Sequence, residues 1–159
     1  AEKYIGGKFI TLYLSPGDYH RIHSPVDGKI TGFFNIPGKL YTVQEFMVNG
    51  LPDLFAVNER LITYIKTSKG NVAVCKIGAM NVGKISLSYD DAVTNKLFGK
   101  KCEKLYAKEE YKAVKKGDEI GIFNLGSTVI ILFEKGMIDF SRLKFGQKVK
   151  VGEKIGTLK

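Results

Sequence analysis

"FNLGSTVIILFE", residues 123–134, sets the strand pattern of this chain and contains the one feature that the pattern leaves unexplained. Residues 128–133 form a nearly all-apolar run of the kind that fills a buried strand, and residues 120–123 form a second one just before it. The simplest geometry for two such runs joined by Asn124, Leu125, Gly126 and Ser127 is a β-hairpin with Gly126 and Ser127 at or near its tip. Gly126 lacks a Cβ, which leaves room for the Ser127 hydroxyl to approach the carbonyl just before it. Gly-Ser-Thr is also common turn chemistry, so the triplet alone is read as a turn.

Outward from this stretch, further strands are expected at residues 8–14, 29–34, 40–46, 60–67, 71–77, 84–89 and 154–158, and the two runs extend to 119–123 and 128–134. One helical turn is expected in "LPDLFAV", residues 51–57, and a short helix over residues 90–98. Short strands between glycine-rich turns, with no long helical crossover, predict a mainly β fold with short helices. The expected architecture is an antiparallel β-sandwich or a barrel-sandwich hybrid. "KKGDEIGIF" at 115–123 and "VKVGEKIGTL" at 149–158 share a glycine, an acidic residue, an isoleucine and a second glycine in register, as a repeated turn entering a strand would. Similar turns occur in lipoyl, biotinyl and phosphocarrier domains, an analogy of fold and not of function.

The 159 residues fit one domain with a substantial core, and 44% hydrophobic residues with 18 Gly against 4 Pro mark a folded, turn-rich chain. No apolar run approaches the roughly 20 residues that cross a bilayer, so the chain is expected to be soluble or peripheral. A formal charge of +9 favours an anionic partner. No zinc-finger spacing, basic helix or glycine-aromatic RNA-binding signature accompanies it, so no nucleic-acid partner is expected and an acidic lipid surface stays open. Cys75 and Cys102 lack a CxxC spacing and are read as reduced thiols without a role.

"YLSPGDYHRIHSPVDGKI", residues 13–30, holds both histidines. On a regular strand His20 and His23 would point oppositely, whereas a bend after "SPGD" lets them share a side. Two histidines without a third nitrogen or sulfur donor make a poor metal site, and none is expected. A histidine able to take a proton near neutral pH is what a nucleophilic serine requires.

Together, "YLSPGDYHRIHSP", "NERL" at 58–61, "VCKIGAMNVGKI" at 74–85 and "KKGDEIGIFNLGSTVIILFE" at 115–134 resemble the phosphatidylserine decarboxylase family in order and spacing over nearly the whole chain. The resemblance covers that family's C-terminal segment; its upstream, membrane-associating part is not among these residues. It implies a pyruvoyl-dependent carboxy-lyase made by self-cleavage between Gly126 and Ser127. One domain, 1–159, then becomes a larger segment, 1–126, and a smaller one, 127–159. Ser127 becomes the pyruvoyl cofactor, which forms an imine with phosphatidylserine and releases carbon dioxide to give phosphatidylethanolamine.

By the same resemblance His23 is the base for self-cleavage, and His20 stands beside the pyruvoyl for decarboxylation or the proton transfer that follows. The family's histidine-orienting Asp lies upstream of the "YLSP" segment, and neither Asp18 nor Asp27 takes its position. The implied partners are phosphatidylserine, an anionic membrane surface and the complementary chain from self-cleavage, with a homo-oligomer left open. The implied location is peripheral, on the cytoplasmic side of a membrane, with "GKKCEK" at 99–104 as one lysine-rich contact.

Two other classes remain. One is a catalytically silent lipid-binding remnant. The other is a phosphocarrier-like domain that uses His20 or His23 as acceptor, which leaves the Gly-Ser-Thr turn without a task. "GAMN" at 78–81 is similar to a biotin-acceptor sequence but has Asn81 where the modified lysine would stand.

Overall fold

The computed structural model describes residues 2–80, 84–94, 100–124, 128–140 and 143–159. In chain order the strands and helices are β1 (Lys8–Tyr13), β2 (Arg21–His23), β3 (Gly28–Ile36), α1 (Glu45–Gly50), α2 (Leu54–Val57), β4 (Arg60–Thr67), β5 (Gly70–Ile77), β6 (Ile85–Ser86), β7 (Cys102–Leu105), β8 (Lys112–Val114), β9 (Glu119–Phe123), β10 (Thr128–Phe133), β11 (Ile138–Asp139) and β12 (Thr157–Leu158).

The large sheet has the order β1-β10-β5-β4-β3-β7, with β8 also pairing β3; a three-stranded sheet runs β2-β9-β6, and β11 pairs β12. Every strand pairing is antiparallel. Leu61, Ile65, Val72, Val74, Ile131 and Phe133 of the large sheet share one buried cluster with Ile22, Ile120, Phe123 and Ile85 of the small one. Two open sheets closing on a common core make the mainly β, sandwich-like fold that the sequence predicts. At about 25 cal/mol per Å2 of apolar surface, this burial is the main stabilising term.

β4 and β9 have the expected bounds, and β5 and β10 differ from them by one residue. Three expectations fail. The β9–β10 hairpin does not form: β9 pairs with β2 and β6, β10 with β1 and β5, so the chain crosses from one sheet to the other between them. Both flanks are buried on both faces, and each needs its own neighbours, which a two-stranded tip cannot supply. The strand at 40–46 is absent. Residues 40–44 are loop fixed by side-chain bonds from Asn58, and α1 starts at Glu45. In the helix expected over 90–98, residues 90–94 are bends, turn and a bridge from Val93 to Ser86, and residues 95–99 lie outside the described residues.

The repeated turn is present. The Asp118 N–H donates to Lys115 O at 3.0 Å, and the Lys115 N–H donates back to Asp118 Oδ2 at 2.7 Å. Glu153 and Lys150 repeat both bonds, at 3.0 and 2.9 Å. Gly117 and Gly152, at φ +94° and +87°, occupy the third turn position, where a positive φ selects glycine.

Candidate functional site

Five strands of the large sheet end in one row, because the register pairs Tyr13 with Thr128, Thr128 with Ile77, Ile77 with Arg60 and Arg60 with Ile36. The small sheet ends beside it, since Ile85 pairs with Phe123, the Phe123 N–H donates to His20 O at 3.0 Å, and the Asn124 N–H donates to Lys84 O at 3.2 Å. Gly126 and Ser127 lie outside the described residues, but both of their flanks are fixed. A four-residue step reaches at most about 14 Å, so Asn124 and Thr128 hold their strand ends within that span across the sandwich.

His20 lies just before β2, at the end of β9 that leads toward residue 127. Its Nε2 is buried and has no hydrogen-bond partner among the described residues. His23 lies three residues further along, opposite Glu119 at the start of β9. Its Nδ1 is 2.7 Å from Gly117 O and its Nε2 is 2.8 Å from the Tyr19 hydroxyl. A carbonyl only accepts, so a proton sits on Nδ1; in the neutral ring Nε2 then carries the lone pair and accepts the Tyr19 O–H. The Tyr19 and His23 rings stack with centroids 5.6 Å apart and planes inclined by 15°. A bulge between Ile22 and His23 breaks the strand alternation that would have set the two histidines on opposite faces.

The nearby carboxylates have other partners. Asp18 Oδ2 accepts the Ser15 N–H and hydroxyl, whose bonds hold its pKa below the usual carboxylate range. Asp27 Oδ1 accepts the Lys116 N–H, and Glu119 takes Arg21 at 2.6 Å and Ser88 at 3.0 Å. The Gly117 carbonyl therefore orients the His23 ring, a task that triads give to a carboxylate, but it offers no full charge to stabilise an imidazolium.

Three polar residues in the core were not singled out from the sequence. Lys76 of β5 is fully buried; its ammonium donates to Thr63 Oγ1 at 2.5 Å, and Thr63 Oγ1 lies 2.8 Å from the Tyr89 hydroxyl. Burial drives the Lys76 pKa down to about 7 and that of Tyr89 upward. Lys76 is paired across the sheet with Val129, the second residue after the junction serine. Its methylenes pass under Gly121 of the other sheet, where an added Cβ would come within 3.4 Å of Lys76 Cδ and 2.7 Å of Ser86 O. The signal was a lysine inside the run Val74-Cys75-Lys76-Ile77, whose strand is covered on both faces.

"NERL" acquires a structural account. Asn58 Oδ1 accepts the Tyr41 N–H, and its Nδ2 donates to Tyr41 O at 2.8 Å and Gly78 O at 3.0 Å, tying two loops of the junction end together. Asn81 of "GAMN" lies outside the described residues. No helix among the described residues is long and apolar enough to cross a membrane.

Comparison with known proteins agrees with this architecture of motifs. The phosphatidylserine decarboxylase family model matches residues 1–157. A phosphatidylserine decarboxylase proenzyme of Brevibacillus brevis is 43% identical over 162 residues, covering 100% of this chain and 57% of the relative. Proenzymes of the same name from Anaeromyxobacter sp. and Myxococcus xanthus are 43% and 41% identical, over 98% and 99% of this chain and 56% of each relative. The chain thus spans somewhat more than half the length of the curated relatives it matches. With a family model covering all but its last two residues, the chain belongs to the phosphatidylserine decarboxylase family.

Proposed function

We propose that this chain carries the catalytic segment of a decarboxylase that converts phosphatidylserine to phosphatidylethanolamine, using a pyruvoyl group generated from Ser127. The observation that carries this reading is the sheet-to-sheet step at the junction. β9 and β10 are held in different sheets, so the Gly126–Ser127 bond joins two independently fixed ends. The acyl shift is uphill in a relaxed peptide, so this reading requires strain, a base and oxyanion donors at the junction.

In self-cleavage the Ser127 oxygen attacks the Gly126 carbonyl carbon and gives up its proton to His23 Nε2; the peptide nitrogen takes a proton and leaves, so that an ester replaces the amide. The Gly117 carbonyl and the Tyr19 hydroxyl hold the His23 ring at the start of β9, away from the junction, so the ring must leave both to reach Ser127. Elimination of the Gly126 carboxylate from the serine β-carbon and hydrolysis with loss of ammonia complete the conversion. Gly126 then ends segment 1–126, and residue 127 begins segment 127–159. The smaller segment stays attached through β10, which pairs along six residues with β1 on one side and β5 on the other.

The pyruvoyl group supplies a ketone that condenses with the substrate amine and accepts the electrons released with carbon dioxide. The residues present fit it. His20 Nε2 is a buried polar atom without a partner at the strand end leading to residue 127, a need that a polar group at that residue would satisfy. His20 there holds the substrate carboxylate or returns a proton to the reacting carbon.

Borohydride reduction of the matured enzyme in the presence of phosphatidylserine tests the function. The expected product is a stable lipid adduct on the terminus at residue 127; a matured, lipid-supplied enzyme without an adduct contradicts it.

A further inference from the structure

We propose that in the matured enzyme the amine of Lys76 condenses with the ketone at residue 127, tying the two segments together by a carbon–nitrogen double bond until a substrate amine displaces it. This rests on the pyruvoyl reading above, and it adds the state of the enzyme before substrate arrives.

Among the described residues Lys76 is the one buried lysine, at 0% exposure. A buried ammonium carries a large desolvation cost, which a methionine or leucine of similar volume avoids. The ammonium has three donors, and among the described residues it meets Thr63 Oγ1, an oxygen that it shares with the Tyr89 hydroxyl. Packing alone does not ask for a lysine here. The opposite sheet nevertheless makes room for one, since a Cβ added at Gly121 would come within 3.4 Å of Lys76 Cδ and 3.5 Å of Cε.

The register brings this side chain to the junction. Lys76 pairs with Val129, and its stem runs between the sheets beneath Gly121. Chain length keeps residue 127 within about 7 Å of Val129. In a regular ladder a residue two along from the cross-strand partner is a diagonal neighbour at about 7–8 Å, a distance that long side chains span. In the structure the stem is turned the other way, toward Thr63, which pairs with Val74 two residues further from the junction. Rotation about its side-chain bonds exchanges the two directions, and Nζ gives up a single hydroxyl to make the change.

Condensation needs a free amine. A lysine in water is protonated at neutral pH and offers no lone pair, whereas burial lowers the pKa of Lys76 to about 7, so a large share of folded chains carries the amine. The Lys76 nitrogen attacks the ketone carbon, the ketone oxygen takes both amine hydrogens and leaves as water, and a C=N bond remains. A substrate amine then adds to the same carbon. Lys76 departs as the amine, taking up the hydrogens that the incoming nitrogen gives up, and substrate entry releases no water. Lys76 returns to Thr63.

The test is reduction of the matured, full-length wild type in the absence of lipid, with cyanoborohydride, which reduces C=N in preference to a ketone. The expected product is a single covalently joined species, lighter than the sum of the two segments by one oxygen atom and lighter than the uncut chain by NH. Its peptide map should carry a bond between Lys76 and residue 127. Excess phosphatidylserine added before the reductant should replace this product by the lipid adduct, and Lys76→Arg should leave the two segments separate. A matured enzyme that gives the lipid adduct but keeps separate segments without lipid overturns the proposal and keeps the pyruvoyl reading. A bond mapped to Lys84, which is exposed at the same end, overturns it as well. A wild type that never yields two segments refutes both.

Discussion

The Phe123 N–H donates to His20 O at 3.0 Å, which fixes His20 to the last residue of β9, while His23 lies at the other end of that strand opposite Glu119. The two histidines are thus separated along β9, with His20 nearer the junction. Ser127→Ala should abolish maturation. His20→Ala should leave cleavage largely intact and lower carbon dioxide release from phosphatidylserine by about 10²- to 10⁴-fold, the usual contribution of a positioned acid or base. Gel analysis of cleavage beside a carbon dioxide assay checks the split, and a His20→Ala protein that fails to mature contradicts it.

Tyr19 covers the lone pair of His23 with a hydrogen bond of 2.8 Å and a stacked ring. Tyr19→Phe keeps the ring and removes the bond. Its loss should speed maturation by roughly 5-fold, the equivalent of about 1 kcal/mol for one hydrogen bond, whereas His23→Ala should stop maturation. Time courses of cleavage after synthesis distinguish this from a merely structural tyrosine, whose loss would slow the reaction.

Lys76 makes stability depend on pH in a definite direction. Burial lowers its pKa from 10.5 to about 7, while the unfolded chain keeps the ordinary value. Between those values the unfolded state binds the extra proton, so stability rises with pH. Below about 7 the folded state carries a buried charge and the penalty is complete. Lys76→Met removes the group at similar volume and should raise unfolding free energy by about 1–4 kcal/mol near pH 6.5, with a gain that shrinks toward pH 10. Paired urea titrations across this range check the slope, and a gain that grows with pH contradicts it.

Asn58 joins the 39–41 loop to Gly78 by three hydrogen bonds and is fully buried. Asn58→Ala leaves the Tyr41 N–H and two carbonyls without their partner, at a cost of about 2–4 kcal/mol. Thermal melts should show this loss, and an unchanged melting temperature would remove Asn58 as the clamp of this end.

Much of this was legible in the sequence because strand periodicity is local. Residues 60–67 and 119–123 carry enough β-branched and apolar residues to fix their own bounds, and the turns at 115–118 and 150–153 are written in a glycine followed by an acidic residue. Partner choice is not local. The run at 128–133 reads as a strand whichever neighbour it takes, so adjacency suggested a hairpin with 119–123 and the shared core between two sheets overrode it. The run at 40–46 alternates as a strand would, but the Asn58 side chain provides its backbone with other partners. Among the site residues, the histidines could be named from sequence, but the bulge at Ile22 and His23 and the bonds to Gly117 and Tyr19 depend on contacts about 95 residues away or on local backbone geometry.

The central claim is that the bond between Gly126 and Ser127 breaks by the action of the chain's own serine. Intact-mass measurement of the complete protein and its Ser127→Ala variant tests it most directly. The account predicts two fragments from the wild type, the smaller beginning at residue 127 with a blocked, ketone-bearing terminus, and one uncut chain from the variant. A wild type that remains a single chain, or a cut that leaves a free serine amine at 127, contradicts it.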